Sequence, residues 1–349
     1  HRSHRFPESI LMAVRTLIVD DSPTMRALIA GMLSRDPEIE VVGAANGPHQ
    51  AREMIKALDP DVITLDVEMP DMNGLDFLER VMRLRPMPVV MLSTLTQAGA
   101  DTTIRALELG AVECCAKPAT NCVDPRIAES VKAAASSRRI RVRDMAPAAP
   151  VPMADFKPIP GSLIAIGAST GGVEALIQLL SVFPANCPPT VIVQHMPATF
   201  TTSFAARLDR LSKPTVAEAR HGQPLVAGHV YLAPGGTHHM EVSGSDGQYR
   251  ARLIPDDPMS GHRPSVDRMF HSVAKTVGAK AVGAILTGMG RDGADGLLAM
   301  RDKGCFTVGQ DRDSCVVYGM PGVAQDIGAV TKQLTLTRIA PALIDRCRA

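Results

Sequence analysis

Thr16-Leu-Ile-Val-Asp-Asp-Ser-Pro23 decides the fold: a short apolar run ends in two acids, and helical spacing follows from Pro23 to Leu33. The same texture recurs outward from it. Val41 to Ala45, Val62 to Asp66, Val89 to Ser93 and Ala111 to Ala116 are four further short apolar runs, with helical segments between them. Repeated strand–helix units predict a parallel sheet covered by helices on both faces. After Gly161 the alternation restarts, with strands predicted at Leu163 to Ala168, Thr190 to Gln194, Ala281 to Thr287 and Cys305 to Gln310. Between Thr215 and Pro255 the pattern shifts to short alternating runs, and Ser245-Asp-Gly247 is a good hairpin turn. The expected class is α/β: two doubly wound, mostly parallel sheets, the second with an antiparallel excursion.

Prolines at 147, 150, 152, 158 and 160 lie in an Ala-rich stretch between these regions and predict a semi-extended linker. The expected organisation is a disordered leader over 1–12, a first domain over 13–138, a linker over 139–160 and a second domain over 161–349. Met12 reads as the natural start. Lys and Arg (37) nearly cancel Asp and Glu (36), and Trp is absent, so neither nucleic acid nor an anionic membrane is an expected partner. The seven cysteines form no C-x-x-C pair, which predicts reduced thiols in a cytoplasmic protein. No apolar stretch approaches the roughly 18 residues of a membrane helix.

In open α/β sheets, reactive side chains gather at the carboxyl ends of strands. The first region puts Asp20 and Asp21, Asp66, Ser93 and Lys117 at such ends. Three clustered carboxylates call for a hard cation, for which Mg²⁺ with oxygen ligands is suited. The cation and Lys117 would offset charge as a phosphoryl group moves onto Asp66, with the Ser93 hydroxyl donating to it. The set resembles the response-regulator receiver family, through Val19-Asp-Asp-Ser-Pro23, Leu65-Asp-Val-Glu-Met-Pro70 and Lys117-Pro118. That resemblance implies a flavodoxin-like domain, Asp66 as phosphoacceptor and a metal shell of Asp21, Asp66 and the backbone carbonyl of Glu68. Cys114 departs from the family, in which the position three before the lysine is often aromatic; this puts an aromatic switch in doubt.

In the second region Gly167-Ala-Ser-Thr-Gly171 is a G-x-S-x-G turn from strand to helix, which exposes a serine oxygen beside a helix N-terminus. A serine nucleophile needs a base, and the base an orienting carboxylate. His195 ends the next strand and is the nearest candidate base; His238 and His239 are rivals. His221, His262 and His271 read as solvated. Asp292, just past a later strand, is the candidate carboxylate. The order Ser169, His195, Asp292 differs from the serine–acid–histidine order of α/β-hydrolases. A competing reading exists: Gly288-Met-Gly290-Arg-Asp-Gly293 is a G-x-G-x-x-G with Asp311 about twenty residues on, as a dinucleotide fingerprint has. Against it, Asp292 would place an anion where the pyrophosphate sits.

Six motifs in order resemble the chemotaxis protein-glutamate methylesterase family: Ile166-Gly-Ala-Ser-Thr-Gly-Gly172, Gln194-His-Met-Pro197, Leu232-Ala-Pro-Gly-Gly236, His262-Arg-Pro-Ser-Val-Asp267, Leu286-Thr-Gly-Met-Gly290 with Asp292-Gly293, and Ser314-Cys-Val-Val-Tyr-Gly-Met-Pro321. The resemblance implies a Rossmann-like catalytic domain with Ser169 as nucleophile, His195 as base and Asp292 as orienter. It implies an oxyanion hole at the backbone of Thr170 and Met289 and no cofactor for the esterase. The implied substrates are methylated glutamates and some glutamines on cytoplasmic chemoreceptor helices, and the implied phosphodonor is a chemotaxis histidine kinase. Other outputs weighed were a dinucleotide-dependent oxidoreductase, a DNA-binding module and a non-catalytic scaffold; no basic helix-turn-helix is found.

Overall fold

The computed structural model describes residues 13–70, 72–94, 96–118, 126–137 and 156–349, so the expected leader and most of the expected linker lie outside the described residues. The chain divides into two compact units. Its elements up to residue 137 are β1 (Val14–Val19), α1 (Pro23–Leu33), β2 (Ile39–Ala45), α2 (Pro48–Leu58), β3 (Val62–Asp66), α3 (Gly74–Leu84), β4 (Val89–Ser93), α4 (Gln97–Glu108), β5 (Glu113–Ala116) and α5 (Arg126–Ser136). The strands form one parallel sheet in the order β2-β1-β3-β4-β5. Leu17, Ile18, Val62, Ile63, Leu65, Val89, Val90 and Met91 are all fully buried, as strands covered on both faces must be. Ser22 caps α1 by accepting from the Met25 amide at 3.3 Å, and Pro23 follows at the first turn, where its missing N–H costs nothing. The chain leaves β1 toward β2 on one side and toward β3 on the other. The ends of β1 and β3 therefore border the crevice where ligands of such sheets bind.

From residue 163 onward come β6 (Leu163–Ala168), α6 (Gly172–Ser181), β7 (Thr190–Gln194), α7 (Ala198–Leu211), β8 (Thr215–Glu218), β9 (His229–Leu232), β10 (His239–Ser245), β11 (Gln248–Ile254), α8 (Val266–Thr276), β12 (Ala281–Ile285), α9 (Ala294–Asp302), β13 (Phe306–Gln310), α10 (Met320–Asp326), β14 (Lys332–Leu334) and α11 (Leu336–Arg346). Seven of these strands make one sheet in the order β14-β13-β12-β6-β7-β9-β8, and every pairing is parallel. Every residue of β6 is buried, and Leu163, Ile164, Ala165 and Ile166 are wholly shielded.

The antiparallel excursion is present, but as a separate two-stranded ribbon rather than as part of the main sheet. Its two-residue turn has Asp246 at φ 53° and Gly247 at φ 81°, the left-handed pair that matches the twist of a tight hairpin. One face of the ribbon is apolar: Met240, Val242, Tyr249 and Ala251 are buried in a cluster with Val266, Met269, Phe270 and Val273 of α8. The Ser272 hydroxyl accepts from the Val242 amide at 2.9 Å and Thr276 donates to the Val242 carbonyl at 3.0 Å, which fixes the ribbon on that helix.

The end of the expected linker also differs. Phe156 is buried, Arg348 lies over its ring at 5.6 Å, and the Ala349 amide donates to the Lys157 carbonyl at 2.9 Å. Residues 156–160 thus pack as part of the second unit, because an aromatic anchor outweighs the extended bias of the prolines around it.

Candidate active site

The second sheet turns at β6, which is followed by β7 on one side and paired with β12 on the other. Ser169 follows β6 directly, and the turn carrying it is stitched to the turn after β12. The Ser169 amide donates to the Thr287 carbonyl at 3.0 Å, and the Thr287 hydroxyl donates to the Thr170 carbonyl at 2.9 Å. The Gln194 side-chain amide donates to the Ser169 carbonyl at 2.9 Å. The two glycines flanking the serine serve different purposes. Gly171 has φ +78°, and a Cβ there would stand 2.6 Å from Val316 Cβ, so this position needs glycine for both conformation and space. Gly167 lies within β6, where a Cβ would meet Val266 Cγ1 at 2.2 Å; it allows α8 to approach rather than the chain to turn. Gly171→Ala is expected to destabilise the protein by about 1–3 kcal/mol, the usual cost of a strained left-handed residue. A urea midpoint that falls with unchanged slope checks this, and an unmoved midpoint contradicts it.

His195 follows β7, and its Nε2 lies 2.8 Å from Asp292 Oδ2. Asp292 is buried at 1% exposure and collects three more donors. Ser265 Oγ donates to Oδ1 at 2.8 Å, the Asp267 amide to Oδ1 at 3.0 Å and the Val266 amide to Oδ2 at 2.7 Å. The amides belong to the first turn of α8, so free helix N–H groups and the helix dipole both face the carboxylate. Burial works to raise the Asp292 carboxyl, but the hydrogen bond and charge of His195 and the backbone N–H groups prevail and hold it at about 2. An ionised Asp292 accepts from Nε2–H, which leaves the Nδ1 lone pair of His195 as the basic position. Among the described residues Nδ1 has no hydrogen-bond partner, so Ser169 Oγ is not bonded to it in this state. Catalytic hydrogen bonds often tighten only when substrate arrives. Among the described residues neither the Thr170 nor the Met289 amide has a backbone acceptor.

The rival bases are occupied elsewhere. His239 is fully buried, bonded through Nε2 to the Asp257 carbonyl at 2.9 Å and through Nδ1 to the Ser265 amide at 3.1 Å. His238 pairs with the Thr237 hydroxyl at 2.8 Å. His221 and His271 are exposed, as the sequence suggested. His262 is not: its ring stacks on that of His195, with centroids 3.8 Å apart and planes 2° from parallel. Ser265 and Asp267, to which the sequence assigns no role, also belong to the site; Asp267 is a second buried acid that accepts from the Gly296 amide at 2.7 Å. Burial and the charge of Asp292 push the Asp267 carboxyl up. Asp292, within the fingerprint-like turn Gly288 to Gly293, is bonded to His195 and the first turn of α8, and Asp311 accepts from the Ser314 amide and hydroxyl to close a local turn.

The first sheet places its expected cluster together. Asp20 and Asp66 are buried, Asp21 is exposed, and one oxygen from each lies within 4.8 Å of the others, a spacing that one cation can bridge. Lys117 Nζ is 2.7 Å from Asp66 Oδ2 and 3.2 Å from Asp20 Oδ2. Burial pushes the Asp66 carboxyl up, against the opposing pull of Lys117. Burial alone would lower the Lys117 ammonium, yet its bonds to Asp66 and Asp20 raise it, so it stays charged. The Glu68 amide donates to Asp66 Oδ1 at 3.0 Å, and Glu68 itself is exposed. Ser93 is buried and donates to the Thr94 carbonyl at 3.1 Å. Cys114 is buried on β5 opposite Met91. The six described cysteines are all free.

Comparison with known proteins identifies the family. The family model described as CheB methylesterase matches residues 164–343, and that of the response regulator receiver domain matches residues 16–123. A protein-glutamate methylesterase/protein-glutamine glutaminase of Caulobacter vibrioides is 60% identical over 341 residues, covering 96% of this chain and 98% of that protein. Its counterpart in Rhizobium etli is 57% identical, covering 95% of each. The crystal structure of the Thermotoga maritima CheB methylesterase catalytic domain covers 54% of this chain and 99% of its own, at 37% identity and a TM-score of 0.52. No helix among the described residues is long and apolar enough to cross a membrane. With family models on both halves and relatives matched end to end, the chain belongs to the CheB methylesterase family, the protein-glutamate methylesterases and protein-glutamine glutaminases with an N-terminal response regulator receiver domain.

Proposed function

We propose that Ser169, His195 and Asp292 carry out the esterase reaction as a triad. The observation that carries this reading is the buried His195–Asp292 pair at the mouth of the sheet that also presents Ser169. Ser169 Oγ attacks the side-chain carbonyl of a glutamyl methyl ester while His195 Nδ1 takes its proton. The amides of Thr170 and Met289 hold the oxyanion, each worth about 3 kcal/mol as in other hydrolases. His195 returns the proton to the departing methoxide, methanol leaves, and water activated by the same nitrogen hydrolyses the acyl-enzyme to glutamate.

A glutamine side chain reaches the same acyl-enzyme with ammonia as the leaving group. Ammonia leaves less readily than methanol, so this branch depends more on the His195 imidazolium. The test uses one receptor peptide, with either methyl-glutamate or glutamine at the same position, followed by mass spectrometry. Both conversions are expected, the ester faster. Deamidation that survives Ser169→Ala would assign that chemistry to another site.

The substrates in this reading are methylated helices of cytoplasmic chemoreceptor regions, and the phosphodonor is a histidine kinase, in the cytoplasm. Asp66 is the phosphoacceptor. Asp21, Asp66 and the Glu68 carbonyl would hold Mg²⁺, which when bound offsets the charge of the incoming phosphoryl group; the acidic cluster supports that fit. Lys117 neutralises Asp66 and Asp20 between cycles and binds the phosphoryl oxygens after transfer, and Ser93 donates to them. Residues 13–138 are assigned to the receiver and 156–349 to the esterase. A small phosphodonor with Mg²⁺ is expected to raise methanol release by the full chain, and Asp66→Asn to abolish the rise while leaving basal activity intact. Undiminished activation of Asp66→Asn would remove Asp66 from this role.

A further inference from the structure

Nothing in the triad reading gives His262 a task, yet its ring covers one face of the candidate base at van der Waals distance and almost parallel. The contact is imposed by the backbone around it. The His262 amide and carbonyl pair with Met259 at 2.9 and 3.0 Å. Arg263 is held through Nε to the Gly236 carbonyl at 2.8 Å and through Nη1 to the Asp256 carbonyl at 2.9 Å, and its own carbonyl accepts from the Gly236 amide at 3.1 Å. Ser265, three residues on, is fixed between His239 and Asp292. One segment, 262–267, therefore contacts both His195 and its carboxylate partner.

His195 needs such a platform. Among the described residues its side chain has one hydrogen bond, Nε2 to Asp292, and none at Nδ1, so that bond by itself lets the ring tilt about its axis. A tilt would carry Nδ1 away from the serine without breaking the bond to Asp292. A flat ring 3.8 Å above blocks it. We infer that His262 is a positioning residue that holds the His195 imidazole in its working orientation by ring stacking; the inference rests on the triad reading above. It assigns His262 no contact with the reacting atoms.

The full-length chain tests it through steady-state kinetics of methanol release from methylated receptor. His262→Ala is expected to lower kcat about 10- to 100-fold, the scale of an ångström-level misplacement, with KM within about twofold of wild type. His262→Phe, which keeps a flat ring but has no titratable nitrogen, is expected to recover kcat to within about threefold. Wild-type kcat in His262→Ala overturns the inference, as does equal loss in the alanine and phenylalanine variants or a loss confined to KM. Should His262→Ala not accumulate in folded form, His262→Phe against His262→Leu decides in the same sense, equal kcat being the contrary result. His195→Ala run alongside separates the two levels: if it retains near-normal activity the triad reading fails, and if it is inactive while His262→Ala is normal only the present inference fails.

Discussion

Replacing Asp292 by asparagine is expected to lower kcat for ester hydrolysis about 10³- to 10⁴-fold, the range found when a triad aspartate is neutralised in other serine hydrolases. Both carboxylate oxygens of Asp292 accept a backbone N–H, Oδ1 from Asp267 and Oδ2 from Val266. An asparagine must therefore turn its NH₂ group against one of these donors, whichever way it is oriented. In one orientation it also faces Nε2 as a donor and forces the proton onto Nδ1, the nitrogen that should be basic. In the other the tautomer survives but the imidazolium loses its counter-charge. The unsatisfied donor is expected to cost about 1–3 kcal/mol of stability as well. The deamidase should fall at least as far as the esterase, because expulsion of ammonia depends more on the imidazolium. Side-by-side rates on paired peptides check the ratio.

The same carboxylate sets a pH dependence of stability. Its folded pKa, about 2, lies below the value of 3.8 for an unperturbed aspartate. A depressed carboxylate contributes stability that is fully present above the unfolded value and is lost as pH falls through the folded one. The window is thus pH 4 down to 2, and the contribution is about 2–3 kcal/mol. Asp292→Asn should flatten the acid limb of the stability profile there.

His195→Ala is expected to reduce kcat by about 10⁵- to 10⁶-fold, and the Ser169→Ala/His195→Ala double variant to be worse by no more than about tenfold. A base without its nucleophile, or the reverse, has no partial function to lose, so the two effects should not add. Independent, multiplicative losses would mean that the two residues act in separate steps. Near-normal activity of His195→Ala would show that another base serves Ser169.

Much of this organisation was legible in the residues themselves. Thr16 to Asp20 and Leu163 to Ala168 lack the polar alternation of half-exposed strands, and both lie in parallel sheets buried on two faces. The turn at Ser245-Asp-Gly247 announced the hairpin, because Asp-Gly readily takes the positive φ values of a two-residue loop. That the hairpin stands apart from the main sheet was not legible; it follows from the packing of Val242 and Tyr249 onto α8, which local sequence does not encode. Ser169, His195 and Asp292 stood out as candidates because each lies beyond a strand, but His238 and His239 met the same criterion, and only the motif resemblance separated them. Ser265 carried a readable signal as the N-cap of α8, but nothing indicated that the free amides beyond it point to a carboxylate 25 residues away. His262 opens the motif His262-Arg-Pro-Ser-Val-Asp267, but nothing in that motif pointed to a ring contact with His195. A ring that stacks on another ring 67 positions earlier leaves no periodicity, and its loop context suggested solvent.

The most direct test of the central claim is methanol release from a methylated chemoreceptor by the full chain and by its Ser169→Ala variant, at equal concentration and with folding verified by thermal melting. Steady release is expected from the unsubstituted chain, and a rate reduced by at least about 10⁴-fold in the variant, at an unchanged melting temperature. Release by the folded Ser169→Ala variant within tenfold of the parent would contradict that claim.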